Sequence, residues 1–237
     1  MRVRPSILIL LLCVAAAASA QTLQPLPASV SAPHGDVLLR LTREWAAASP
    51  LGDLASRETG PGDVELRYWG GFGLSGTAGV VLRRENGTWK GWTASVVTCF
   101  ARVPFAVADT MTDATIGRYA TDARRKCQPA ASGPGRVIQA DRLELAPIEP
   151  ERVPAAWRAA MEAGAPILPR AIERAWSDDA GYTHVVELRI GKTYRASVIA
   201  CADPPEKPDD YRVQQVAGAL ARAIPDSRID CTRQSRP

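Results

Sequence analysis

The chain has 237 residues, of which 29 are basic and 25 acidic, giving a formal net charge of +4. Cleavage after the first twenty residues removes two of those basic residues and no acidic ones. The remaining balance of about +2, with no basic stripe, argues against nucleic acid as a partner.

Residues 1–20 read as a secretory signal peptide. Arg2 and Arg4 supply the positive start, residues 7–14 an apolar run, and Ala18, Ser19 and Ala20 a small-residue cleavage site. Leu12 precedes Cys13, which is the wrong neighbour for lipid attachment. The apolar run falls short of the roughly 20 residues that a spanning helix needs, and no later segment reaches that length, so no membrane span is expected. The heavy use of Ala, Arg and Pro is that of GC-rich bacterial coding. The expected compartment is therefore the periplasm or the extracellular medium. Four cysteines follow the cleavage site, Cys99, Cys127, Cys201 and Cys231. An even number in an oxidising compartment reads as two disulfides, with three connectivities open on the count alone.

Residues 21–35 are rich in Pro, Ser and Ala and read as a poorly ordered lead-in. Asp36 can cap a helix that sets Leu38, Leu41, Trp45 and Ala48 on one face. Ser49-Pro50 stops it, and a loop runs to Asp63. Residues 64–69 alternate in polarity and carry β-branched and aromatic side chains, the mark of a half-buried strand. A glycine-rich segment, 70–79, precedes a second strand at 80–85. Asn86-Gly87 predicts a two-residue hairpin turn, because a type I′ turn needs positive φ at both central residues. A third strand then runs from Thr88 towards Cys99. With that loop Glu85 faces Thr88, Arg84 faces Trp89, and Val81 faces Trp92.

Beyond Cys99, residues 109–126 predict a helix with Ile116, Tyr119, Ala120 and Ala123 on one face. Its basic end, Arg124-Arg125-Lys126, suits the negative pole of the helix dipole. Residues 128–136 are a Pro- and Gly-containing linker, and 137–145 a strand. Helices follow at 155–163, with Pro154 in the first turn, and at 169–176. A strand pair, 183–190 and 192–201, turns about Gly191. The strongest helix repeats Val213, Val216, Ala217, Leu220 and Ile224 on one face, begins at Asp209 or Asp210, and ends at Pro225.

Val64-Glu65-Leu66-Arg67 recurs as Val186-Glu187-Leu188-Arg189. Each copy leads to a strand ending in cysteine and then to a helix and a second cysteine. The expected fold is therefore α+β, with antiparallel strand pairs flanked by helices in two related halves, 36–127 and 137–237. These pack as one domain or two. The matched spacing favours bridges within each half, Cys99 with Cys127 and Cys201 with Cys231.

Residues 71–76 satisfy the pattern GxGxxG. A dinucleotide site needs that run to open a helix, whereas a strand follows here, so no cofactor is expected. Asn86-Gly87-Thr88 matches a glycosylation acceptor, which the hairpin turn already explains. His34 and His184 are the two histidines, and neither has the ligand spacing of a zinc site. His184 reads as an ordinary strand residue. The acidic pairs Asp178-Asp179 and Asp209-Asp210 stand where caps are expected. Tyr68, Trp69, Phe72, Trp89 and Trp92 form either a small core or, in part, a recognition surface. Trp69, Phe72 and Trp89 are the binding candidates, with Trp92 in the core and Phe72 exposed. The function these features favour is a non-catalytic secreted or periplasmic protein that binds a protein or envelope glycan, an inhibitor being one form. The alternative is a carboxylate-dependent hydrolase of envelope polymers, and a third reading is a structural envelope protein with no discrete ligand.

Overall fold

The computed structural model describes residues 35–72, 76–108, 111–128, 133–168, 183–200, 208–227 and 229. Its centre is the aromatic hairpin. β1 (Val64–Gly70), β2 (Ala78–Glu85) and β3 (Thr88–Val103) form an antiparallel meander. Asn86 and Gly87 turn the chain with φ of 49° and 78°. Glu85 then pairs with Thr88, Arg84 with Trp89 and Val81 with Trp92, as expected.

Two further strands, β5 (Thr183–Ile190) and β6 (Thr193–Ala200), form a second hairpin about Gly191. β4 (Arg136–Pro147) pairs along β3 from Trp92 to Val103. All six make one antiparallel sheet in the order β4-β3-β2-β1-β5-β6. The two Val-Glu-Leu-Arg copies meet at its centre, because β1 pairs with β5. Leu66 lies opposite Leu188, Glu65 opposite Arg189, and Arg67 opposite Glu187. Antiparallel pairing of two identical copies thus sets opposite charges across the strands twice, an arrangement that favours this register.

Among the described residues the two copies differ beyond this stretch. Residues 96–99 belong to the third strand of the meander, whereas residues 198–200 belong to the second strand of their hairpin. The likeness of the two cysteine-ending segments is therefore not an equivalence of strands. The 128–136 segment also leads straight into β4, whose partner is β3, so the sheet continues across both predicted halves.

Helices cover the sheet on both sides. α1 (Gly35–Ala47) packs Leu38, Leu41, Trp45 and Ala46 onto Trp69, Val81, Val185 and Val198. On the other face α4 (Arg152–Glu162) and α5 (Pro208–Ala223) cover Leu66, Tyr68, Val80, Leu82, Val186 and Leu188. Val213, Val216, Ala217 and Leu220 of α5 are fully buried, the face its periodicity predicts. Each such Val or Leu contributes about 1.5–3 kcal/mol of burial. Gly91 lets α4 come close, since a Cβ there would lie 2.7 Å from Cγ2 of Val153. His184 belongs to this core, fully buried against Tyr68 at 5.2 Å between ring centres.

β3 outruns β2 by eight residues, and beyond Ser95 its strand partner is β4. The short α2 (Phe105–Ala108) follows it, and α3 (Asp113–Lys126) packs back through Ile116, Tyr119 and Ala120 onto Val103 and Ile138. Thr112 caps α3 and Cys127 ends it in the left-handed region. Cys99 of β3 is bonded to Cys127, the first expected pair. The second expected pair, residues 1–34 and the predicted helix at 169–176 lie outside the described residues. Among the described residues no helix is long and apolar enough to cross a membrane.

Candidate functional site

The three binding candidates do not share a surface. Trp69 is fully buried under α1, and its Nε1 donates to Oε2 of Glu187 at 3.3 Å. Phe72 is half-buried rather than exposed, stacked on Trp45 of α1 with ring centres 6.2 Å apart. Trp89 lies on the opposite face against Trp157 of α4, at 5.6 Å, with the Arg84 guanidinium 5.6 Å over its ring. β1 is covered on both faces, so Trp69 lies in the core. Trp92, expected in the core, is half-buried with Arg83 above its ring.

The same double coverage buries the charges that alternate with these apolar positions. Glu65, fully enclosed, accepts from Nε of Arg67 and Nε of Arg83, each at 2.7 Å, and from Nη1 of Arg57 at 2.9 Å. Arg57 also pairs with Glu85. Arg67 and Arg83 both donate to the Leu51 carbonyl, which fastens the 48–63 loop over the sheet. With both oxygens occupied by cations, Glu65 is a structural clamp. Removing one partner of such a buried cluster costs far more than forming it contributes.

Beside it, Glu187 accepts from the Tyr194 hydroxyl at 3.0 Å and from Trp69. Burial pushes its carboxyl above the ordinary range, and the nearby Arg67 only partly counters this. Burial, with the Glu187 charge adding to it, pushes the Tyr194 hydroxyl up as well. At the rim Arg43 of α1 grips Asp53 through two bonds of 2.9 and 2.7 Å, which hold the Asp53 carboxyl down at about 2. These groups tie α1 and its loop to the sheet.

A different region is open. A cleft of about 310 Å³ lies between the end of α1 and the turn after it, the end of α3, and β4. Glu44, Pro50, Arg124, Arg125, Asp141 and Leu143 are among its walls. Its arginines are positioned by local bonds. Arg124 Nε donates to the Asp141 carbonyl at 3.0 Å, and Arg142 donates to the Arg124 carbonyl and pairs with Glu144. Arg125 pairs with Asp122 on its own helix. Among the described residues, Arg124 meets no carboxylate, and Oε2 of Glu44 has no hydrogen-bond partner. The disulfide to Cys127 fixes the end of α3 and so fixes this wall. Chemically, an arginine fork held at Nε, with neither Nη atom bonded among the described residues, is suited to a carboxylate. No three metal-ligating side chains come together among the described residues.

The sequence marks the basic end of α3 and the strand at β4 but not their meeting. The disulfide spacing was the signal that could have linked them, because it draws Arg124 to within three residues of a bond to β3. Comparison with protein-family models, with curated proteins and with solved structures found no match to this chain, and the residues themselves carry the functional reading.

Proposed function

We propose that this chain is a non-catalytic binding protein of the periplasm or extracellular medium, and that the cleft between α1, α3 and β4 receives a protein partner. The observation that carries this reading is the contrast between two sets of arginines. Arg57, Arg67 and Arg83 are spent on Glu65 inside the fold. Arg124 is held in place at the cleft without a carboxylate of its own among the described residues. A cation positioned at an opening, and bonded to no carboxylate among the described residues, favours an anionic group brought by another molecule. The disulfide behind it accords with an oxidising compartment, to which the signal-like residues 1–20 would direct the chain.

Photocrosslinking tests the reading. A photoreactive residue at position 50 or 125 should yield a defined protein adduct in the native compartment. The same residue at 192, in the exposed β5–β6 turn, should yield none. Equal labelling from all three positions, or none from any, would count against it. The hydrolase alternative has one observation in its favour, that Glu44 and Asp141 both line the cleft. It requires release of soluble fragments from purified envelope polymer, abolished in Glu44→Gln or Asp141→Asn.

A further inference from the structure

Building on that binding reading, we infer that the partner enters as an extended peptide, added as a strand to the outer edge of β4 and seated by a carboxylate on Arg124. β4 is an edge strand of the sheet. Two bonds define which of its residues face outward. Ile148 N donates to the Gly91 carbonyl at 2.9 Å, and Val96 N donates away from β4, to the Thr77 carbonyl at 2.9 Å. Val96 is the partner of Leu143, so Leu143 directs its own N–H and C=O away from β3. Alternation along the strand gives Asp141 and Leu145 the same direction, while Arg142, Glu144 and Ala146 bond to β3. The side-chain bonds agree, since the Asp141 carbonyl reaches Arg124 and the Ala146 carbonyl reaches Thr93 of β3. Pro147, which has no N–H, falls on the outward set, where its absence breaks no ladder bond.

Among the described residues no backbone bond meets the outward groups of Leu143 and Leu145. The open stretch ends where Arg124 crosses onto Asp141. An incoming strand would thus find backbone partners at Leu143 and Leu145, and a guanidinium at the end of the run. Pro50 and Arg125 line the cleft together with Leu143. Backbone pairing supplies affinity in this mode, and the side-chain contact supplies selectivity. The class of ligand is therefore an extended segment with an acidic residue, or a chain end, placed to meet Arg124.

The mature chain, disulfide intact, should be offered a pool of octapeptides with a fixed central aspartate and the other positions drawn from Val, Ile, Thr, Tyr and Ser. Retained peptides should bind at least tenfold more tightly than their Asn counterparts, and Arg124→Gln, with unchanged circular dichroism, should abolish that difference. N-methylation of alternate peptide amides, in the phase that faces β4, should abolish binding. The opposite phase should have little effect. Equal binding by both N-methylated forms, or an Asp preference that survives Arg124→Gln, would overturn strand addition at this edge. So would self-association of the chain that Leu145→Pro removes, because a second copy would then be the occupant. If no peptide is retained while position 50 still crosslinks to a partner, strand addition fails and the binding reading stands. If neither occurs, both fail.

Discussion

Gly79 of β2 faces Trp69 of β1 directly across the ladder, and replacing it by alanine tests how tightly the centre of the sheet is specified. A Cβ at position 79 would lie 2.6 Å from Cε3 of Trp69 and 2.8 Å from the Tyr68 carbonyl oxygen. Neither neighbour can yield easily. The indole is fully buried and tethered to Glu187, and the carbonyl belongs to the strand backbone. Overpacking of this kind costs about 1–3 kcal/mol. Relief of glycine's chain entropy returns about 0.4–1 kcal/mol, which from the middle of the overpacking range leaves a net loss of roughly 1–2 kcal/mol. For a chain of this size that is a fall in Tm of roughly 2–8 °C. Urea titration followed by tryptophan fluorescence measures it. Trp69→Phe in the same chain removes the second indole ring and should recover part of the loss, with a coupling above about 0.5 kcal/mol. A neutral or stabilising Gly79→Ala, or strict additivity with Trp69→Phe, would refute the packing argument.

Replacing Cys99 and Cys127 together by serine opens a loop of 28 residues and should cost roughly 3–4 kcal/mol. A loss below about 1 kcal/mol in urea titration would contradict the pinning of α3. Glu65→Gln leaves Arg57, Arg67 and Arg83 facing a neutral amide and should destabilise by about 3–5 kcal/mol, measurable by calorimetry. Glu187 holds its proton more tightly folded than unfolded, so the stability it contributes is complete below the ordinary glutamate value of 4.5 and is lost as pH rises through its raised folded value. Glu187→Gln should lack that decline, while the separate loss from Asp53, confined to acid as pH falls from 3.8 towards 2, should persist. Parallel pH profiles of the urea midpoint in the two proteins would contradict this assignment.

Where local chemistry decides the structure, the sequence was legible. Asn86-Gly87 permits few turns other than the one observed, and that turn determined the register of β2 and β3 residue by residue. The i, i+3, i+4, i+7 pattern from Val213 located α5 and its buried face. The spacing of Cys99 and Cys127 located a bridge. What escaped were the properties that depend on partners distant in the chain. Glu65, Arg67 and Glu187 alternate with apolar residues and so read as a solvent face. They are buried because α1 and the 48–63 loop cover that face. Two Val-Glu-Leu-Arg copies, paired antiparallel, would have revealed the matched charges. Trp69 and Trp89 looked like neighbours because they bracket one hairpin, yet strand alternation puts them on opposite sides. The cleft was hidden for the same reason, since Glu44, Arg124 and Leu143 are brought together only by the length of β3 and its pairing with β4.

Amide hydrogen exchange along β4 tests the binding edge most directly. In the free mature chain the outward amides of Leu143 and Leu145 should exchange rapidly, while those of Arg142 and Glu144, bonded to β3, should be slow. Saturation with an aspartate-containing peptide from the retained pool should slow Leu143 and Leu145 and leave Arg142 and Glu144 unchanged. Protection of Leu143 and Leu145 already present in the free chain, or exchange there that the bound peptide does not alter, would contradict the account.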